Sequence, residues 1–230
     1  MKKILAIALF LQIILSVTGQ EISVPNRYEL DEHPFHFGFC LGLNMMDFII
    51  KPKSDTLVAD VSAPNIGFHI QIVTNLRLGE YFDLRFLPGI AFNQRNLNFF
   101  KKDKTLDGAS QQIESNFLEF PLLLKYKAKR LKNVRPYVIT GANCRVDLAK
   151  SFNQVQGIYI ALKRVDLYYE AGTGVDFYLP YFKLSTEIKY SLGFRNILNH
   201  RTADSAANER FENSIDKLKS SVLMLSFCFE

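Results

Sequence analysis

The feature that most constrains this chain is a period-2 alternation of bulky apolar and small or polar residues that recurs along most of its length. Side chains alternate between the two faces of a strand, so such a pattern demands a sheet with unlike faces. In Phe35 to Asn44, one face is Phe35, Phe37, Phe39, Leu41 and Leu43, and the other is His36, Gly38, Cys40, Gly42 and Asn44. Seven more segments read the same way, at about 65–76, 81–96, 115–127, 135–148, 164–177, 182–194 and 219–229. The 20 Phe and 10 Tyr, with no Trp, suit pleated strands better than helices.

Where charges fall within these segments decides what kind of sheet it is. Asp83 and Arg85, Arg145 and Asp147, Asp166 and Glu170, and Glu187 and Lys189 each lie on the face opposite the bulky residues, as does Glu119 in the fourth segment. A soluble sandwich places charges toward water and closes an apolar core. Here the charged face is also the glycine-rich one, which suits a narrow interior. A charge facing hydrocarbon costs roughly 2–4 kcal/mol at mid-bilayer, whereas charges within a lumen can pair. We therefore expect an all-β, eight-stranded antiparallel up-and-down transmembrane β-barrel with bulky residues outward. Its lumen should hold a polar network of Asp83, Arg85, Glu119, Arg145, Asp147, Asp166, Glu170, Glu187 and Lys189.

Connection lengths agree. Long links at 45–64, 97–114, 149–163 and 195–218 alternate with shorter ones at 77–80, 128–134 and 178–181. Outer-membrane barrels have short periplasmic turns, longer outer loops and an even strand count. Residues 1–20 read as a signal peptide: Lys2 and Lys3, an apolar stretch from Ile4 to Leu15, then small residues, with cleavage near Gly19. Residues 21–34 then form a periplasmic N-terminal segment and 35–230 the barrel domain. The formal net charge of +5 includes Lys2 and Lys3, and removing those two leaves +3. Acidic and basic residues are interspersed, which gives no field calling for nucleic acid. The expected surroundings are outer-membrane lipid.

Other features carry little chemistry. Cys40, Cys144 and Cys228 are distant from one another and lack metal-type spacing, so they read as small hydrophobes; a disulfide between two of them is open but not predicted. His36 and His69 fall on the lumen face of neighbouring strands, and His200 in a loop. Without HExxH-type spacing, lumen hydrogen bonding outweighs a metal site or a His–Ser hydrolase pair. Gly172-Thr-Gly174 lies within a strand, where glycine fits close packing, and is no phosphate loop. No cofactor, metal or catalytic residue is expected. The tyrosines gather near strand ends, consistent with interfacial girdles. The basic stretch Lys125, Lys127, Lys129, Arg130, Lys132 and Arg135 reads first as a solvated turn whose side chains snorkel at the rim. Its alternative is a periplasmic docking turn carried by Lys127, Lys129, Arg130 and Lys132. The closing Leu-Ser-Phe-Cys-Phe-Glu resembles a barrel-assembly signal, although Glu230, not Phe229, is last.

The runs Asn75-Leu-Arg-Leu-Gly-Glu-Tyr-Phe-Asp-Leu-Arg-Phe-Leu-Pro-Gly89 and Phe120-Pro-Leu-Leu-Leu-Lys-Tyr-Lys127, with Arg135-Pro-Tyr137 leading into Gly141, resemble the PorT family. These are outer-membrane barrels of the type IX secretion system of Bacteroidota. The resemblance implies a non-enzymatic part in exporting proteins, alongside other secretion-system proteins. An eight-stranded lumen is too narrow for folded cargo, which implies an accessory or assembly role. The competing reading is a stand-alone structural or adhesive barrel that binds partners through its outer loops. A lipid-modifying enzyme would need an outward-facing His, and none is predicted on any strand.

Overall fold

The computed structural model describes residues 33–53, 57–61, 65–101, 106–148, 161–199 and 215–230. The signal peptide, most of the periplasmic segment, His200 and much of two outer loops lie outside these residues. Among the described residues there are twelve strands: β1 (Phe35–Pro52), β2 (Leu57–Val61), β3 (Ile66–Arg77), β4 (Phe82–Phe86), β5 (Gly89–Lys101), β6 (Leu106–Lys127), β7 (Val134–Asp147), β8 (Ala161–Leu162), β9 (Val165–Tyr178), β10 (Lys183–Gly193), β11 (Leu198–Asn199) and β12 (Ile215–Phe229).

Antiparallel pairing runs β1–β12–β10–β9–β7–β6, then β6 to both β4 and β5, these to β3, and β3 back to β1. The ring therefore closes. β4 and β5 together make one of eight staves, interrupted at Leu87 and Pro88 because proline has no amide hydrogen to give the ladder. The ladder is patched there: Leu87 N–H donates to Pro121 O at 3.1 Å, and Ile72 N–H to Pro88 O at 2.8 Å. Parity survives the break, so Phe86 and Ile90 both point outward. Closure leaves no unpaired edge within hydrocarbon, as a membrane span requires.

The bulky face is the outer one. Phe37 is 67% and Ile66 69% exposed, while Arg85 and Arg145 are 0%. Three short turns, at 78–81, 128–133 and 179–182, share a rim with the start of β1 and the end of β12. Arg77 N–H donates to Pro34 O, and Lys183 and Glu230 exchange backbone hydrogen bonds. In outer-membrane barrels the short turns face the periplasm.

The strands run further than the alternation suggested. β1 continues to Pro52 and β2 fills part of the expected 45–64 loop. β5 and β6 stay paired from Gly89↔Glu119 to Phe100↔Leu106, well into the expected 97–114 loop, and β12 begins at Ile215. In the upper part of β5 and β6, such as Gln94 to Asn98 against Ser110 to Glu114, polar residues occupy both faces and alternation fades, but the backbone ladder has no reason to stop.

A sealed ionic lumen as the candidate functional site

Inward positions of all eight staves converge on the lumen. Among the described residues, seven carboxylates are buried there (Asp83, Glu119, Asp147, Asp166, Glu170, Asp176 and Glu187), and the Glu230 side chain makes an eighth. Against them stand eight buried cations: Arg85, Arg95, Lys125, Lys127, Arg135, Arg145, Lys183 and Lys189. Burying an unpaired charge costs several kcal/mol, so this balance is what the low-dielectric interior requires.

The charges sort into tiers. At the short-turn end, Glu230 Oε2 lies 2.7 Å from Lys183 Nζ, and Asp83 pairs with Lys127 while accepting from Asn75 Nδ2 at 3.1 Å. Lys125 Nζ donates to both oxygens of Asp176 at 2.8 Å, and its ammonium sits 3.6 Å from the centre of the Tyr137 ring.

The next tier centres on Glu187. Its Oε2 accepts from Arg85 Nη1 at 2.9 Å and from Tyr137 OH at 2.8 Å, and its Oε1 lies 2.9 Å from Lys189 Nζ. Arg85 reaches back to Glu230 Oε1 at 3.2 Å, joining the two tiers. Gly174 makes room for the tyrosine: a Cβ there would lie 2.5 Å from Tyr137 Oη.

Beside these charges an apolar layer crosses the lumen: Cys40, Val73, Leu87, Leu123, Tyr137, Ile139 and Cys228. Cys40 and Cys228 are cross-strand partners on β1 and β12 and form a disulfide, so their expected role as separate hydrophobes is corrected. The pairing was invisible in sequence because 188 residues separate the two and only ring closure sets the β1–β12 register. Cys144 is the free cysteine, on the outward face.

Further toward the long-loop end, Arg145 Nε lies 2.6 Å from Glu119 Oε1, and Arg145 Nη2 lies 3.2 Å from Glu170 Oε1. Glu119 also accepts from Gln71 Nε2 at 2.9 Å, and Glu170 from Asn143 Nδ2 and Ser191 Oγ, both at 2.8 Å. The Arg145 guanidinium stacks on Tyr168 at 4.3 Å. Beyond it, Arg95 is held between Phe48 and Phe117, donating to Ser115 Oγ at 2.7 Å and Ser220 Oγ at 2.8 Å. Buried Leu162, Ile197, Leu198, Ile215 and Leu218 form an apolar patch at this end. Asn196 Oδ1 ties it down by accepting from the backbone N–H of Leu198 and Leu218.

The nine residues anticipated in the lumen are all buried, but they divide among these tiers. Arg85, Glu187 and Lys189 form one group; Glu119, Arg145 and Glu170 another; Asp83 pairs with Lys127; Asp166 Oδ1 accepts from Leu167 N–H at 2.8 Å, and Asp147 is buried on β7. Residues not anticipated are Arg95, Lys125, Asp176, Lys183, Glu230 and Tyr137. Parity could have found most of them, since Lys125 shares the face of Glu119, and Asp176 that of Glu170.

Of the anticipated docking turn, Lys127 is corrected: as the last residue of β6 it keeps inward parity and pairs with Asp83. Lys129 and Lys132 are exposed, and Arg130 stacks on Tyr178 at 3.6 Å. Lys132 has φ 54° at the first central position of the two-residue turn between Leu131 and Val134.

The two inward histidines do not meet. His36 is opposite Asn75, while His69 is opposite Gly42, with Nε2 2.9 Å from Ser226 Oγ in a buried hydrogen bond. Among the described residues no group of three His, Cys, Asp or Glu side chains could hold a metal ion.

A closed ring of eight strands, apolar outside and ionically filled within, defines a plugged membrane barrel. The family model for the outer membrane protein beta-barrel domain matches residues 20–199, and the chain belongs to that family. Its place is the outer membrane. The chain is similar to Neisserial surface protein A, at 13% identity over 85% of this chain and 98% of that one, with a TM-score of 0.42. It is similar to OprG from Pseudomonas aeruginosa, at 13% identity over 85% and 92%, with a TM-score of 0.48. It is also similar to Ail of Yersinia pestis, solved with the heparin analogue sucrose octasulfate, at 13% identity over 86% and 99%, with a TM-score of 0.37. No curated protein matches the sequence.

Proposed function

We propose that this barrel is a non-enzymatic accessory or assembly component of a protein-secretion apparatus, of the type IX kind that its PorT-like runs suggest. The observation that carries the reading is the filled lumen. Ionic tiers and apolar layers occupy the bore from the short-turn rim to the Leu198–Leu218 patch, which leaves no route for a polypeptide. A barrel of this kind acts through its surfaces, and the short-turn rim, with exposed Lys129, Leu131 and Lys132, is where it meets other secretion proteins. The PorT-like runs supply Asp83, Arg85, Leu87, Leu123 and Lys125, so they encode the seal itself. Export with cleavage near Gly19 belongs to the same reading.

The test is a gene deletion complemented in trans. Cargo proteins should disappear from the medium in the deletion strain, and other secretion components should co-purify with the complementing barrel from detergent. Unchanged export would end this reading. A second reading, an adhesive barrel, is favoured by the β5–β6 ladder, which continues beyond the lipid-facing residues. It predicts normal export and lost surface attachment in the same strain.

A further inference from the structure

At the long-loop rim, four adjacent staves end in basic side chains. Lys163 and Arg164 precede β9, Arg195 follows β10, Lys217 and Lys219 open β12, and Lys51 closes β1. All but Lys219, which is half-buried, are exposed. They lie next to the last outward apolar row: Phe194 N–H donates to Leu167 O, and Ile49 is opposite Lys219. On the other side of the same rim, the outward positions of β5 and β6 just above the apolar row carry Gln94, Asn116 and Glu114. The arc is therefore basic at the level where those outward positions are neutral or acidic.

Within the arc, Lys51 and Lys217 are direct cross-strand partners on the same outward face. Like charges in that relation are destabilising. Among the described residues the one carboxylate in ion-pair contact with the arc is Asp216, 3.6 Å from Lys51, with both side chains largely open to solvent. So weak and solvated a pair does little to offset the repulsion. An external anion held between the two ammonium groups would.

We propose that this arc binds the phosphate groups of an anionic glycolipid in the outer leaflet of the outer membrane. The position suits such a ligand: acyl chains lie along Leu167, Leu192, Phe194 and Leu223, while the phosphates meet the basic side chains one or two rungs above. Clustered Lys and Arg at a membrane surface recognise anionic headgroups in this way, and guanidinium and ammonium groups give phosphate strong charge-assisted hydrogen bonds. The inference is independent of any role in secretion.

The test uses the full mature chain in phosphatidylcholine nanodiscs doped with bis-phosphorylated lipid A, with retained lipid read by native mass spectrometry. Each basic residue at such a surface contributes roughly fivefold, so Lys51→Gln/Arg195→Gln/Lys217→Gln should weaken retention on the order of a hundredfold. Arg77→Gln/Lys129→Gln/Lys132→Gln, at the opposite rim, should leave retention unchanged. Heat-modifiable gel migration checks folding. If the triple variant fails to fold, Lys217→Gln alone should lower retention about fivefold. Equal retention of chemically dephosphorylated lipid A by the wild type, or undiminished binding by the folded variant, would overturn the proposal.

Discussion

Arg85 on β4 and Glu187 on β10 meet across the lumen at 2.9 Å, with both side chains wholly shielded from solvent. Glu187 is also approached by Tyr137 and Lys189, so one carboxylate answers several donors. Removing it leaves two buried cations without that partner. Glu187→Leu should destabilise the barrel by about 3–5 kcal/mol. The paired change Arg85→Met/Glu187→Leu should recover part of that loss, because it removes charge of both signs. Thermal unfolding in detergent, followed by heat-modifiable migration, gives both values. A double variant no more stable than Glu187→Leu alone would contradict the pairing.

The stacked tiers also predict electrical silence. Purified protein in a planar bilayer should show no resolved conductance steps, because Arg145, Tyr168, Glu119 and the Leu87–Leu123–Ile139 layer fill the cross-section. Reproducible unitary steps from the folded protein would mean that the interior is not sealed.

Thiol counting checks the cysteine assignment. Denatured but unreduced protein should take one maleimide, at Cys144, and reduced protein three. Cys40→Ser/Cys228→Ser should lower stability by about 2–4 kcal/mol, since the cross-link restricts the unfolded chain over a long loop. Three labels without reduction would rule out the bond.

Lys132 occupies the left-handed region, where glycine or asparagine sits more easily. Lys132→Asn should therefore stabilise the barrel by about 1 kcal/mol. Unfolding midpoints of the two proteins in one detergent decide it, and a lower midpoint for the variant would count against the strain.

Much of the architecture was legible because parity is unforgiving: a one-residue slip would turn Arg145 or Glu187 toward lipid. The alternation marked the two faces, the charges on the glycine-rich one pointed it inward, and the long–short rhythm of the links gave eight staves. Its blind spots have physical causes. Gln94 to Asn98 pair with Ser110 to Glu114 where no lipid face selects for bulk, so the ladder there leaves no hydrophobic trace. Lys127 looked like part of a solvated turn because composition sees a basic cluster, whereas its strand position aims it at Asp83. Partner choice inside the lumen, such as Arg85 with Glu187 across 102 positions, depends on ring geometry that no local pattern encodes.

The bond between Cys40 and Cys228 makes the wall a hoop riveted at its last joint. Those two staves are the first and last of the ring in sequence, so the rivet spans the joint at which the sheet meets itself. A hoop fastened there cannot part at that joint while the bond is intact. The seam that a closed cylinder would otherwise share only through hydrogen bonds is here also held by a covalent bond.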